Sequence, residues 1–269
     1  MNRILVWDVP TRVFHWLFTS ATVAAMGIAA IADDDGPTFQ VHMLFGLIAG
    51  FTVIMRLFWG VVGSKHARFG SFLFGPKALI DYVRGAIRRN AARHLGHNPG
   101  SAYVVYVMLL LTLGLAFSGL LMSTSKALEE AHEVMAHLLP LIAIAHVAGI
   151  VWHTFRHREN IALSMIDGKK EGESSLAISS SHVGIGAVFL VLTLGWTAVV
   201  FGGHDEHSGQ LNLFGATFLL GESEHDQSAE HDDDDDDDDD DHNPRERRRG
   251  KRGHHGKSDH HDDHDKDDD

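Results

Sequence analysis

Five stretches of the chain stay apolar for about the thickness of a bilayer: residues 13–31, 39–62, 103–122, 134–152 and 183–201. At 1.5 Å per residue, roughly 20 such residues carry a helix across a hydrocarbon core of about 30 Å. The pattern predicts an all-α membrane protein with five spanning helices. The first stretch has the basic start and small-residue end of a cleaved leader, but it is longer than a typical leader core, and Trp7, Asp8 and Pro10 are unusual before one. It is therefore expected to be a retained span.

The polar joints between the stretches set the orientation. Lys65, Arg68, Lys77, Arg84, Arg88, Arg89 and Arg93 follow the second stretch, and Arg156, Arg158, Lys169 and Lys170 follow the fourth. Cationic short loops stay in the cytoplasm. The alternate joints, with Asp33–Asp35 and with Lys126, Glu129 and Glu130, face outward. The N-terminus is then expected on the cytoplasmic side and the acidic tail outside.

Net charge splits the chain. Residues 1–203 balance at +3 and residues 204–269 at −16, within the total of −13. The second part contains an unbroken run from Asp232 to Asp241, with His231, His254, His255, His260, His261 and His264 among its acids. Such composition cannot build a core, so a disordered acidic, His-rich tail is expected. It is either a solvated polyampholyte, a weak site for divalent cations, or an acidic guide for a basic partner. The division expected is a core over 1–175, a fifth transmembrane helix over 176–203 and a polar tail over 204–269. Nothing in the body suggests nucleic-acid binding, and lipid is the expected surrounding partner.

Cysteine is absent, which removes disulfides, thiolate-held clusters and thioether-linked haem. The candidate chemistry lies in histidines within the apolar stretches. Ionisable rings there are costly and usually functional. His132 and His146 are fourteen residues apart on one stretch, about 21 Å along a helix and within roughly 40° of the same face. By the orientation above, His42 matches the depth of His132, and His15 matches that of His146. Two bis-histidine irons, stacked within a helical bundle, fit this pairing, and haem b meets the cysteine-free condition. Such iron has no open position, so one-electron transfer is the expected chemistry.

Competing residues remain. His137 and His153 are rival ligands, with His153 expected at the interface or beside a propionate, while His66, His94, His97, His157 and His182 are expected in solvated loops or ends. Arg56 lies fourteen residues after His42, on a similar face. It suits a haem propionate or a quinone oxygen, or else snorkels to the headgroups. Gly46, Gly50 and Gly149, each about a turn from a ligand or from one another, suit either a flat macrocycle or ordinary helix packing; for the glycines alone, packing is favoured.

These residues resemble the bacterial cytochrome b561 family, which includes the b-type subunits of nickel–iron hydrogenases. The resemblance rests on residues 6–16 (VWDVPTRVFHW), His42–Gly46, Arg56–Gly60, Gly63–Phe69, Leu95–Pro99, Ala145–Gly149 and His157–Asn160. It implies a four-helix core with two haems b, exchanging electrons between a quinone pool and a periplasmic redox partner, either a hydrogenase or a c-type cytochrome. The ligands it implies are His15, His42, His132 and His146. The fifth stretch and tail extend beyond that pattern. Two other readings compete. One is a divalent-metal transporter or metal-buffering protein, weakened by the lack of central carboxylates. The other is a quinone-linked oxidoreductase for a small reductant such as superoxide.

Overall fold

The computed structural model describes residues 2–32, 36–88 and 94–220, apart from the side chains of Pro37 and His157. Asp33–Asp35, Arg89, Arg93 and the acidic tail beyond Leu220, with its candidate cation ligands, lie outside the described residues. The described residues fall within one compact unit, Met1–Glu224.

The backbone is mostly helical: α1 Val9–Ala29, α2 Pro37–Val62, α3 Pro76–Ile87, α4 Pro99–Leu121, α5 Lys126–His157, the short α6 Ser164–Asp167 and α7 Val183–Gly203. Two small antiparallel sheets join them, β1 Asn2–Leu5 with β2 Lys169–Gly172, and β3 His204–Asp205 with β4 Gln210–Leu213 and β5 Ala216–Leu219. Among the described residues four helices are long and apolar enough to cross a membrane, namely those containing 38–62, 99–124, 126–156 and 183–203. The first expected span, α1, falls short of that apolarity because Arg12, His15, Thr19, Ser20 and Thr22 dilute it. It packs along α2 and α7.

Helix starts follow local chemistry. The Asp8 carboxylate accepts the Thr11 N–H at 2.9 Å, with Pro10 in the first turn, so α1 begins four residues before its apolar stretch. Asn98 caps α4 with a reciprocal bond to Ser101, followed by Pro99. The amphipathic α3, within a joint read as a loop, lies between α2 and α4 and packs on α4.

The helices pack in sequence, α1 on α2, α2 on α4 and α4 on α5, with α7 covering α1 and α2. A strap fastens the N-terminal end. β1 pairs with β2, the Val6 and Trp7 N–H groups donate to the Gly168 carbonyl at 2.8 and 3.0 Å, and Trp16 Nε1 donates to the Met165 carbonyl at 3.0 Å. Gly168 is required here: its φ is +76°, and a Cβ would lie 2.6 Å from the Trp7 carbonyl oxygen. The strap ties the segment leaving α5 beneath the start of α1.

Residues 211–220, read from sequence as a short interfacial segment, form a β-hairpin. Leu211, Leu213 and Leu220 bury against Met43 and Leu44 of α2 and Val200 of α7. Alternation drives this, since Gln210 and Asn212 are exposed while Leu211 and Leu213 are buried.

Candidate functional site

Two of the expected histidines meet. His42 on α2 and His132 on α5 face one another with ring centroids 6.4 Å apart and planes at 82°. Each ring is held from behind. His42 Nδ1 donates to the Ala25 carbonyl of α1 at 2.8 Å. His132 Nδ1 lies 3.0 Å from Ser118 Oγ of α4, whose own proton points to the Leu115 carbonyl at 3.3 Å, so the hydroxyl oxygen accepts. With Nδ1 protonated in both rings, each Nε2 carries the free lone pair. Metal-bound histidines are commonly oriented in this way.

The spacing fits a shared metal. An imidazole nitrogen sits about 2 Å from a metal it binds, which places opposed ring centres about 6.4 Å apart. The space beside the rings is a cavity of about 380 Å³, lined mainly by small and apolar residues such as Ala25, Ala49, Ala116, Gly119 and Leu139. Gly46 lines it too, and a Cβ built there meets nothing within 4 Å. Gly50 differs: its Cβ would lie 2.7 Å from that of Ala116. One glycine of the pair therefore opens onto the cavity and the other brings α2 against α4. A flat macrocycle with two axial imidazoles fits this arrangement.

At the opposite end, His15 of α1 and His146 of α5 are half-buried. His15 Nδ1 is enclosed without a hydrogen-bond partner. Arg56 is 2% exposed. One of its nitrogens donates to the Ala67 carbonyl at 2.9 Å, its Cζ lies 4.8 Å from the Phe69 ring centre, and its other terminal nitrogen is buried without a partner. Asp8 is near, but its oxygens already accept from Thr11 N and Trp59 Nε1. A cation so enclosed, with one donor unmatched, suits an anionic or carbonyl oxygen.

His97 corrects a sequence reading. Expected in a solvated loop, it is wedged between Trp7, at 4.9 Å between centroids, and Phe72, at 4.2 Å, with Nδ1 enclosed and unpaired. Burial, reinforced by Arg56, Lys170, His146 and His66, pushes its pKa down to about 3. No sequence signal marks this: His97 lies outside every apolar stretch, and the strap and the turn after α2 enclose it. His66 is likewise engaged, with Nε2 2.9 Å from the Leu176 carbonyl. The rival His137 is exposed, and its Nδ1 is satisfied by the Glu133 carbonyl at 2.8 Å.

Among the described residues no group of three or more His, Cys, Asp or Glu converges to hold a metal ion. Paired histidines are the arrangement present, and a macrocycle that brings its own equatorial nitrogens needs only two.

Residues 6–168 match the family model of the prokaryotic cytochrome b561. The chain belongs to that family. Haem b and membrane electron transfer come with it. A "Probable Ni/Fe-hydrogenase B-type cytochrome subunit" from Rhizobium leguminosarum bv. viciae is 21% identical over 216 residues, covering 63% of this chain and 89% of that protein. No solved structure matches. The cytochrome b561 match ends within the strap, before α7 and the β3–β5 sheet.

Proposed function

We propose that this cytochrome b561 family member carries two haems b and passes electrons between the quinone pool and a periplasmic redox partner. His42 and His132 would hold one haem and His15 and His146 the other. The observation that carries this reading is the 6.4 Å spacing of the His42 and His132 rings, with both Nδ1 atoms engaged. Arg56 is assigned to a propionate of the second haem or to a quinone oxygen, supported by its unmatched buried nitrogen.

The haem supplies a reversible one-electron couple when bound. The chain does the rest. Paired imidazoles of the chain would hold the haem iron, which would keep oxygen and substrate from it and confine the chemistry to electron transfer. Ala25 and Ser118 fix the imidazole tautomers. The apolar cavity walls exclude water. The hydrogenase subunit similar to this chain makes a hydrogenase-like periplasmic partner the favoured one, with a c-type cytochrome the alternative. A bacterial plasma membrane is the proposed location, and the cationic joints support an N-terminus in the cytoplasm. The core spans 1–175, the added helix 176–203 and the polar extension 204–269.

Haem content and reduced-minus-oxidised spectra of the purified protein test this reading. Two b haems are expected per chain. His42→Ala and His132→Ala should each lose the same haem, and His15→Ala and His146→Ala the other. Four single variants that all retain two haems would refute the assignment.

A further inference from the structure

Where α2 ends, the chain turns sharply through residues 63–71 and forms a cleft of about 530 Å³ lined by Gly60, Val61, Lys65, Arg68, Phe69 and Ser71. The turn is firmly built. The Ala67 and Arg68 N–H groups donate to the Ser64 carbonyl at 3.0 and 3.1 Å, and Tyr106 Oη donates to the Phe69 carbonyl at 3.2 Å. Phe69 sits on Gly60, where any Cβ would meet its ring. Lys65 and Arg68 are exposed, and among the described residues neither forms an ion pair. No carboxylate lines the cleft.

Below the cleft an apolar strip runs down the outer face of α2. Val61 is 71% exposed, Phe58 59% and Ile54 52%, spaced three and four residues apart on one face. The neighbouring α3 marks the membrane level. Its exposed Ile80, Val83 and Ile87 share a face, with Lys77, Arg84 and Arg88 beside it, the pattern of a helix lying in the headgroup layer. A dicationic cleft at headgroup height above an open apolar strip is complementary to a molecule with an anionic head and acyl tails. Anionic lipids enrich the cytoplasmic leaflet's negative potential, which draws such cations.

We propose that this cleft binds one anionic phospholipid, its phosphate between Lys65 and Arg68 and an acyl chain along Val61, Phe58 and Ile54. The inference rests on the membrane placement of α2 and on the cytoplasmic orientation proposed for its C-terminal end, and stands apart from the haem assignment.

The full-length protein, delipidated in an uncharged detergent, would be titrated with phosphatidylglycerol and with phosphatidylcholine and read by native mass spectrometry. At least tenfold tighter binding of phosphatidylglycerol is expected. Lys65→Gln with Arg68→Gln should abolish that preference, whereas Lys77→Gln with Arg84→Gln, which removes equal charge from α3, should keep it. Circular dichroism checks folding; if the double variant fails to fold, Lys65→Gln alone should weaken phosphatidylglycerol at least threefold. Equal binding of both lipids, or equal loss in both double variants, would overturn the site. Displacement of the lipid by millimolar inorganic phosphate would make it a free-anion site and overturn the lipid assignment.

Discussion

Gly46 and Gly50 lie one turn apart on α2, yet the structure gives them opposite roles, so substituting each separates a cofactor wall from a packing contact. Gly46→Leu would project four carbons into the 380 Å³ cavity, where a Cβ meets nothing within 4 Å. In the haem-free protein its Cβ meets no clash, and the change gains helix propensity of roughly 0.8 kcal/mol. It occupies space beside His42 that a macrocycle held by His42 and His132 would need. Gly50→Ala places a methyl 2.7 Å from the Ala116 Cβ, which forces α2 and α4 apart. Overpacking of this kind costs about 1–3 kcal/mol, against about 1 kcal/mol regained in propensity. Pyridine haemochrome assays and thermal unfolding of haem-free protein read the two effects. Gly46→Leu should reduce haem from two to one per chain with an equal or higher melting temperature. Gly50→Ala should lower the melting temperature. Full haem content in Gly46→Leu, or a melting loss matching that of Gly50→Ala, would refute the assignment of the cavity.

Three further outcomes follow from particular contacts. Ser118→Ala removes the acceptor at 3.0 Å from His132 Nδ1; loss of a hydrogen bond that orients a ligating histidine typically costs about 10–100-fold, and haem titration should show about tenfold weaker binding at the His42–His132 site alone. His97 is neutral when folded, its pKa pushed from 6.5 to about 3, so the unfolded chain takes up the proton first as pH falls. Its contribution to stability is full above about pH 6.5 and is lost progressively toward pH 3; urea titrations across pH 4–7 should show this slope, and His97→Gln should flatten it. Phe214 and Gly215 close a two-residue hairpin with φ of +51° and +88°, and Phe214 is 88% exposed. That turn favours Asn-Gly, so Phe214→Asn should raise stability by about 0.5–1 kcal/mol, read as a higher melting temperature.

The long helices and the histidines placed inside them were legible because each has a local cause. Apolar runs must cross lipid as helices, and histidines inside them stand out against that background. Depth matching also paired His42 with His132, since a straight helix converts residue number into height. The glycines were not separable by sequence, because a motif spaced by one turn says nothing about what its two faces meet. The sheets were missed for the same reason. β1 and β2 are four residues each and pair across more than 160 positions, and the Leu211–Leu220 alternation reads as a strand only against the apolar side of α2 and α7.

By itself the sequence marked the long apolar helices and the histidines inside them and ruled out cysteine as a ligand, because hydropathy and composition act residue by residue. Only the tertiary structure decided that His97 and Asp8 are enclosed, that Arg56 keeps an unmatched donor, and that Gly46 borders open space while Gly50 touches Ala116. Those properties depend on which distant surfaces meet, and a side chain's solvation is set by neighbours that no local pattern specifies.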